Sequence, residues 1–242
     1  MKKIEIVSII YRSTDYLDFI YRQLKGPYCK VNGWDVRLRI VANDATKDVL
    51  EKLKNLDIPF SVYNDPKPND YYLNRVYRCW NYCVESSEFD DVCLAASDVA
   101  FSKNWLANLL KHHDGINIPC SRLVESAKMP SGLHGIGKNF GRHPREFDQA
   151  SFEDYAEQIS ENKIENGGLF GPLVFNKKRF LDSGKYPEGN IYEAGAGANH
   201  TPFIKSGDAY FFYDVLENKF GMRHVTAFDS VVYHIQEGEM DE

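Results

Sequence analysis

CLAASDVAFSKNWLANLL, Cys93 to Leu110, decides how this chain is read. Its first residues are small and apolar, as in a strand covered on both faces. Ser97 and Asp98 follow, and then Trp105, Leu106, Leu109 and Leu110 recur at helical spacing. A lone acid at the carboxyl end of a core strand stands where open parallel sheets bind ligands. The other use of such an acid is as a cap for the next helix, but Asp98 is far upstream for that.

Working back from that stretch, strand and helix patterns alternate. Ile4 to Ile10 is β-branched and bounded by polar residues, which predicts a strand. Thr14 or Asp15 is placed to cap a helix whose apolar face is Leu17, Ile20, Tyr21 and Leu24. Val36 to Val41 is a second strand, Thr46 to Leu56 a helix and Pro59 to Tyr63 a short strand. Tyr72 to Val84 is an amphipathic helix with Leu73, Val76, Tyr77, Trp80 and Val84 on one face. This alternation predicts βαβ units and an α/β fold: a mixed, mostly parallel sheet with helices on both faces.

The second half is less regular. Gly115 to Arg145 is rich in Gly, Pro and polar residues and shows no clear period. Ser151 with Asp154 reads as a capping box before Phe152, Tyr155, Ala156 and Ile159. Gly167 to Phe175 reads as a turn into a strand, Lys177 to Ser183 as a short helix and Tyr186 to Lys205 as a Gly-rich loop. A helix over Ser206–Phe220 and two strands, Met222–Phe228 and Ser230–Ile235, precede an acidic tail. No linker composition interrupts the chain, so a single domain over residues 1–242 is expected.

The 242 residues are 43% hydrophobic and 14% aromatic, enough for a substantial core. No apolar run is long enough to span a bilayer, and MKKIEIVSIIYRS reads as a first strand, so a cytoplasmic location is expected. The five cysteines include no CxxC pair and are expected to be reduced and buried. The net charge of −6 argues against a broad nucleic-acid surface. Residues 103–147 carry seven Lys/Arg against three acids, +4 against −10 for the remainder. Such a segment either faces an anionic partner or is an ordinary solvated region.

Four polar features fall at strand ends: Tyr11-Arg12-Ser13, Asn43-Asp44-Ala45-Thr46, Ser97-Asp98, and Gly207-Asp208 at a late helix start. Their order resembles the family 2, GT-A-type glycosyltransferases. SIIYRSTDYL (Ser8–Leu17) is similar to the family's opening strand and loop, and NDATKD (Asn43–Asp48) to its DNxSTD turn. Asn81 precedes Ala96 by fifteen residues, as the family's helix Asn precedes its acidic motif. Leu94–Leu110 resembles the DxD or NPD strand and the WLxxLL helix after it. The resemblance covers residues 4–110 and becomes sparse beyond them.

The resemblance implies a GT-A fold and transfer of a sugar from a nucleotide-sugar donor to a hydroxyl acceptor, inverting and metal-assisted. Residues 1–110 would form the nucleotide-sugar half and 111–242 the acceptor half, with a variable insert at 111–166. Asp98 would hold a divalent metal, Mn²⁺ or Mg²⁺, and His234 in VVYHIQ would add a metal or phosphate contact. Asp44 would read the base or ribose, with Tyr11, Arg12, Arg75, Arg78, Asn81 and Ser97 in the donor site. Asp208 would be the general base. The chain departs from the family pattern at Ala96, where the first acid of DxD belongs, and at Gly207, where the Glu of an ED pair belongs.

Other roles stay open for these residues. Asp44 suits a turn, Asp208 a helix N-terminus, and Arg75 and Arg78 an exposed helix face. His112 and His113 read as partners of a helix C-terminus. HGIGKNFGRHP (His134–Pro144) lacks the pattern of a phosphate loop and is expected near the acceptor. The alternatives to a transferase are a catalytically inactive sugar-nucleotide or carbohydrate-binding module and a nucleotidyltransferase of the same fold, although the latter's Gly-rich opening loop is missing. The acceptor stays open among a glycan, a lipid-linked sugar, a protein and a modified nucleic-acid base.

Overall fold

The period-two burial of the first strand sets the architecture. In β1 (Lys2–Ile10), Ile4, Ile6 and Ile10 enter one hydrophobic cluster while Val7 and Ile9 enter another. A strand buried on both faces belongs in the middle of a sheet between two layers of helices. The computed structural model describes residues 1–67, 71–192, 203–236 and 238. β2 (Trp34–Asn43), β3 (Phe60–Tyr63) and β4 (Asp91–Ala96) complete the first half of the sheet, in the order β3-β2-β1-β4, all parallel. α1 (Thr14–Lys25) and α2 (Lys47–Lys54) cover one face, and α3 (Tyr72–Glu85) covers the other.

The turn at Ser97-Asp98 leads into β5 (Val99–Phe101) and α4 (Trp105–Leu110). Then come β6 (Asn117–Glu125), β7 (Ile136–Gly137), α5 (Gln149–Ile159), β8 (Ile164–Asn166), β9 (Leu173–Asn176) and α6 (Lys177–Asp182). β10 (Ile191–Tyr192) and β11 (Phe203–Lys205) form a small separate ribbon. α7 (Gly207–Ala209) runs into a wider π-helical segment, Tyr210–Glu217, and β12 (Arg223–His234) follows. The sheet continues β4-β9-β6-β12-β5, with β9 and β5 antiparallel to their neighbours.

β4 and β5 lie four strand spacings apart in that order, roughly 19 Å if the sheet were flat. Ala96 and Val99 are joined by only three peptide links, which reach about 11 Å. The sheet therefore curls, and the curl carries Asp98 to the end of β12. Because β9 opposes both β4 and β6, and β7 and β12 are parallel to β6, seven of the described strands, β1, β2, β3, β4, β6, β7 and β12, point the same way. Tyr11, Asp44, Ser97, Glu125 and His234 therefore all stand at one end of the sheet.

Several elements differ from expectation. Gly115–Arg145 contains β6, a central strand, even though Pro119 lies within it. The two last strands are one, β12, with a register shift between Ala227 and Val231. Ser13 caps α1 by accepting the Tyr16 N–H. Asp148 caps α5 and takes both the N–H and the hydroxyl of Ser151, so Ser151 serves the cap as donor. The late helix is mostly π-helical, with adjacent Phe211 and Phe212 both fully buried. All five cysteines are free and buried. The Gly-rich loop is described only at its two ends, and the acidic tail beyond Gly238 lies outside the described residues. No helix among the described residues is long and apolar enough to cross a membrane.

Candidate active site

β9 begins only at Leu173, which pairs with Leu94 on β4 and Cys120 on β6. Beyond that point β4 and β6 run on without a strand between them. A cavity of about 260 Å³ fills the gap. Leu94, Ala96, Leu123 and Leu169 give it an apolar lining, with Trp80, Phe170 and Tyr186 as aromatic walls. Two carboxylates and an imidazole reach it: Glu125, Asp208 and His234. A mostly apolar cavity with a few convergent polar groups is the general form of a small-molecule site. A larger hollow of about 900 Å³, lined by Lys2, Trp34, Asp91 and His113 among others, lies at the opposite end of the strands. It holds none of the sequence-predicted residues.

His234 ends β12 and is in register with Glu125 on β6 and with Val99 on β5. Its Nδ1 lies 3.0 Å from Glu125 Oε1, and its Nε2 lies 3.4 Å from Asp98 Oδ2. Burial alone would lower the imidazole pKa, but Asp98 and Glu125 outweigh it and raise the value to about 10. Burial likewise opposes ionisation of Glu125, yet His234 and its other hydrogen bonds bring that carboxyl below its usual value. Glu125 escaped the sequence reading because β6 did. The only signal was its place at the end of a segment in which Ile116, Ile118 and Cys120 alternate with polar or small residues.

Asp98 and His234 fit a divalent cation that displaces the proton from the imidazole Nε2, because the carboxylates that favour a proton there favour a metal cation in the same way. Asp98 Oδ1 is buried and has no hydrogen-bond partner, an orphaned oxygen that a cation would satisfy. A side chain on Gly238 would place its Cβ 3.3 Å from Asp98 Oδ2, and this glycine has a φ of +61°. Among the described residues no group of three or more His, Cys, Asp and Glu side chains could hold a metal. Among the described residues the site thus offers two donors, Asp98 and His234. A hard cation would complete its shell with phosphate oxygens and water.

Asp208 opens α7, where its backbone N–H donates to the Tyr77 hydroxyl at 3.2 Å. Its Oδ1 accepts the Ala209 N–H at 2.7 Å. The absent Glu at position 207 has a steric cause. A Cβ there would stand 2.3 Å from the Gly189 carbonyl oxygen and 2.6 Å from the Tyr77 ring. The half-motif is built into the packing of α7 on α3.

The first-half residues form a second cluster at the ends of β1 and β2. Asp44 has φ +51°, and its Oδ2 lies 2.9 Å from Arg12 Nη2 and 3.4 Å from Arg75 Nη1. Both guanidiniums lie over the Tyr11 ring, at 4.6 and 4.7 Å. Ser97 is buried at the end of β4. Arg78 and Asn81 have partners of their own. Arg78 is buried and bonds Asp65 through its side chain and carbonyl, while Asn81 clamps the Tyr186 backbone with both ends of its amide.

The basic insert spends much of its charge internally. Lys111 pairs with Asp229 and Arg145 with Asp15. Arg122 donates to the His134 and Ile159 carbonyls, and Lys138 lies 3.6 Å over the Tyr155 ring. His134–Pro144 wraps Tyr233, whose hydroxyl bonds the Phe140 N–H and the Gly141 carbonyl, and none of the segment lines the cavity. His113 bonds Asp91, and His112 Nε2 lies 3.7 Å from Asp229 Oδ1.

No family model matches the sequence, and no curated protein is similar to it. Solved structures are similar in fold. The crystal structure of GalNAc-T7 with UDP, GalNAc and Mn²⁺ aligns with a TM-score of 0.60 and 9% identity, over 97% of this chain and 44% of that one. The mannosyltransferase PcManGT from Pyrobaculum calidifontis, in complex with GDP-Man and Mn²⁺, aligns at 0.52 and 14%, over 96% and 56%. S. aureus TarS 1–349 aligns at 0.54 and 13%, over 97% and 60%. This chain thus spans about half the length of those structures. It has the GT-A fold of these glycosyltransferases.

Proposed function

We propose that this protein is a glycosyltransferase that moves a sugar from a nucleotide-sugar donor to a hydroxyl acceptor. The observation that carries the reading is the meeting of Glu125, His234 and Asp208 at one cavity, with Asp98 against His234. Two of the three fold relatives were solved with Mn²⁺ and a nucleotide or nucleotide sugar, which supports the same ligand class here.

The donor nucleotide lies over the ends of β1 and β2, where Arg12, Asp44 and Arg75 meet on Tyr11. A divalent cation at Asp98 and His234 would neutralise the diphosphate as it leaves. Asp208 takes the proton of the acceptor hydroxyl. The acceptor oxygen bonds to the anomeric carbon as the bond from that carbon to the phosphate oxygen breaks, and the electron pair leaves with the diphosphate. Attack from the face opposite the leaving group inverts the anomeric centre. Residues 1–110 supply the donor cluster and Asp98. Residues 111–242 supply Glu125, Asp208, His234 and the acceptor side.

The test is release of nucleotide from a panel of UDP-, GDP-, dTDP- and CMP-sugars with Mn²⁺, in wild type and Asp208→Asn. Turnover with one donor, lost by about 10²–10⁴-fold in the variant while the nucleotide still binds, supports the reading. Binding without turnover in wild type supports the inactive-module alternative. Wild-type turnover in Asp208→Asn removes Asp208 from the mechanism.

A further inference from the structure

α3 lays a series of aromatic residues beside Asp208. Tyr77 bonds the Asp208 N–H and stacks on Tyr186 at 5.5 Å with the rings nearly parallel. Three residues on, Trp80 is half-buried and lines the cavity together with Phe170 and Asp208. The fold uses the other two tryptophans: Trp105 is buried and stacked on Phe101 at 4.1 Å, and Trp34 lies under Lys2 Nζ at 5.2 Å. Trp80 takes no hydrogen bond and no ring contact among the described residues. At the start of the same helix Tyr72 is 53% exposed, its ring against Tyr71 at 4.7 Å. Burial raises the Tyr72 phenol pKa, and Tyr71 and the charge of Asp208 add to the shift.

A pyranose ring has one face of C–H groups and an edge of hydroxyls. The cavity-lining side of a half-buried indole takes the first, and a neighbouring carboxylate takes a hydroxyl. His234 is paired with Glu125 and Asp98, which leaves Asp208, among the described residues, as the free charge on the cavity wall to disfavour an anionic group there, and the internal pairing of the insert's cations disfavours a polyanion. We propose that the acceptor is a neutral saccharide, with one ring stacked on Trp80, its chain running out past Tyr72 and the reacting hydroxyl at Asp208. This rests on the transferase reading and names its acceptor class.

The test is saturation-transfer NMR on protein loaded with Mn²⁺ and whichever of UDP, GDP, dTDP or CMP it binds. The probes are maltose, cellobiose, lactose, chitobiose and mannobiose, with phosphorylated and uronic-acid sugars as charged counterparts. The expected result is transfer to the C–H protons of at least one neutral disaccharide, reduced about fivefold in Trp80→Leu and in Tyr72→Ser, with nucleotide affinity unchanged. Tyr72→Ser alters an exposed side chain and keeps the test open if Trp80→Leu fails to fold. The proposal is overturned if no neutral disaccharide gives transfer, if transfer survives both substitutions, or if the charged sugars bind better. Failure of every nucleotide to bind counts against the transferase reading instead, and the saccharide arm on unloaded protein then decides the saccharide site alone.

Discussion

His234 and Glu125 stand side by side at the carboxyl ends of two parallel strands, with Nδ1 3.0 Å from Oε1. That bond fixes which imidazole nitrogen faces Asp98. Partners of this kind hold a ligating His in its tautomer and orientation, and their loss typically costs 10–100-fold in metal affinity. Glu125→Ala is therefore expected to weaken Mn²⁺ binding by about that factor, read by calorimetry with the nucleotide present. Glu125→Gln keeps an acceptor for Nδ1–H and is expected to lose less. Equal losses in the two variants would contradict an orienting role.

The steric account of Gly207 makes a separate prediction. Its Cβ position is occupied by the Gly189 carbonyl and the Tyr77 ring. Gly207→Ala is expected to destabilise the fold by about 1–3 kcal/mol, measured by urea unfolding. Gly207→Glu is expected to be worse and to gain no activity. Enhanced turnover in Gly207→Glu would show that the position is simply a lost catalytic acid.

Arg39 and Glu5 form a buried ion pair in the sheet. Arg39 Nη2 lies 2.9 Å from Glu5 Oε2, and Arg39 also bonds Ser61, Ser86 and the Cys83 carbonyl. Without Arg39 the buried Glu5 carboxylate keeps only the partly exposed Arg37, whose Nε lies 3.4 Å away, so most of its charge compensation is lost. Arg39→Met is expected to cost about 3–5 kcal/mol, whereas the double variant Arg39→Met with Glu5→Leu recovers much of the loss. A double-mutant cycle in urea measures this coupling directly.

His224 makes stability depend on pH. It is fully buried against Phe170 and Phe212, and burial lowers its pKa from 6.5 to about 4. The unfolded chain takes up this proton first as pH falls, so its contribution is complete above pH 6.5 and is lost towards pH 4. Between pH 7.5 and 5 the loss from this group is about 2 kcal/mol. His224→Phe is expected to flatten that part of the profile. An unchanged slope would assign the dependence to other groups.

The parallel half of the sheet was legible because β1, β2 and β4 are short apolar runs between helices with clear faces. The same runs put Asp44 and Asp98 at strand ends. What stayed hidden depends on long-range pairing. β6 carries Pro119 and sits in a polar, Gly-rich stretch, so the short alternation of Ile116, Ile118 and Cys120 was its only trace, and Glu125 lies beyond it. Ser151 follows an Asp that takes the cap first. Arg78 and Asn81 sit in the motif positions, but their partners, Asp65 and the Tyr186 backbone, come from segments whose approach no local pattern announces. Trp80 read as core because its helix face is apolar, and only the late start of β9 opens the cavity beside it.

The most direct test of the account is a thermal-unfolding panel of UDP, GDP, dTDP and CMP, each with and without Mn²⁺, on wild type and Asp98→Asn. A ligand at a hundred times its Kd adds about 2.7 kcal/mol, which for a chain of this size raises Tm by about 5–10 °C. The account predicts such a rise for one nucleotide, dependent on Mn²⁺ and lost in Asp98→Asn. No rise with any nucleotide, or an undiminished rise in the variant, would contradict it.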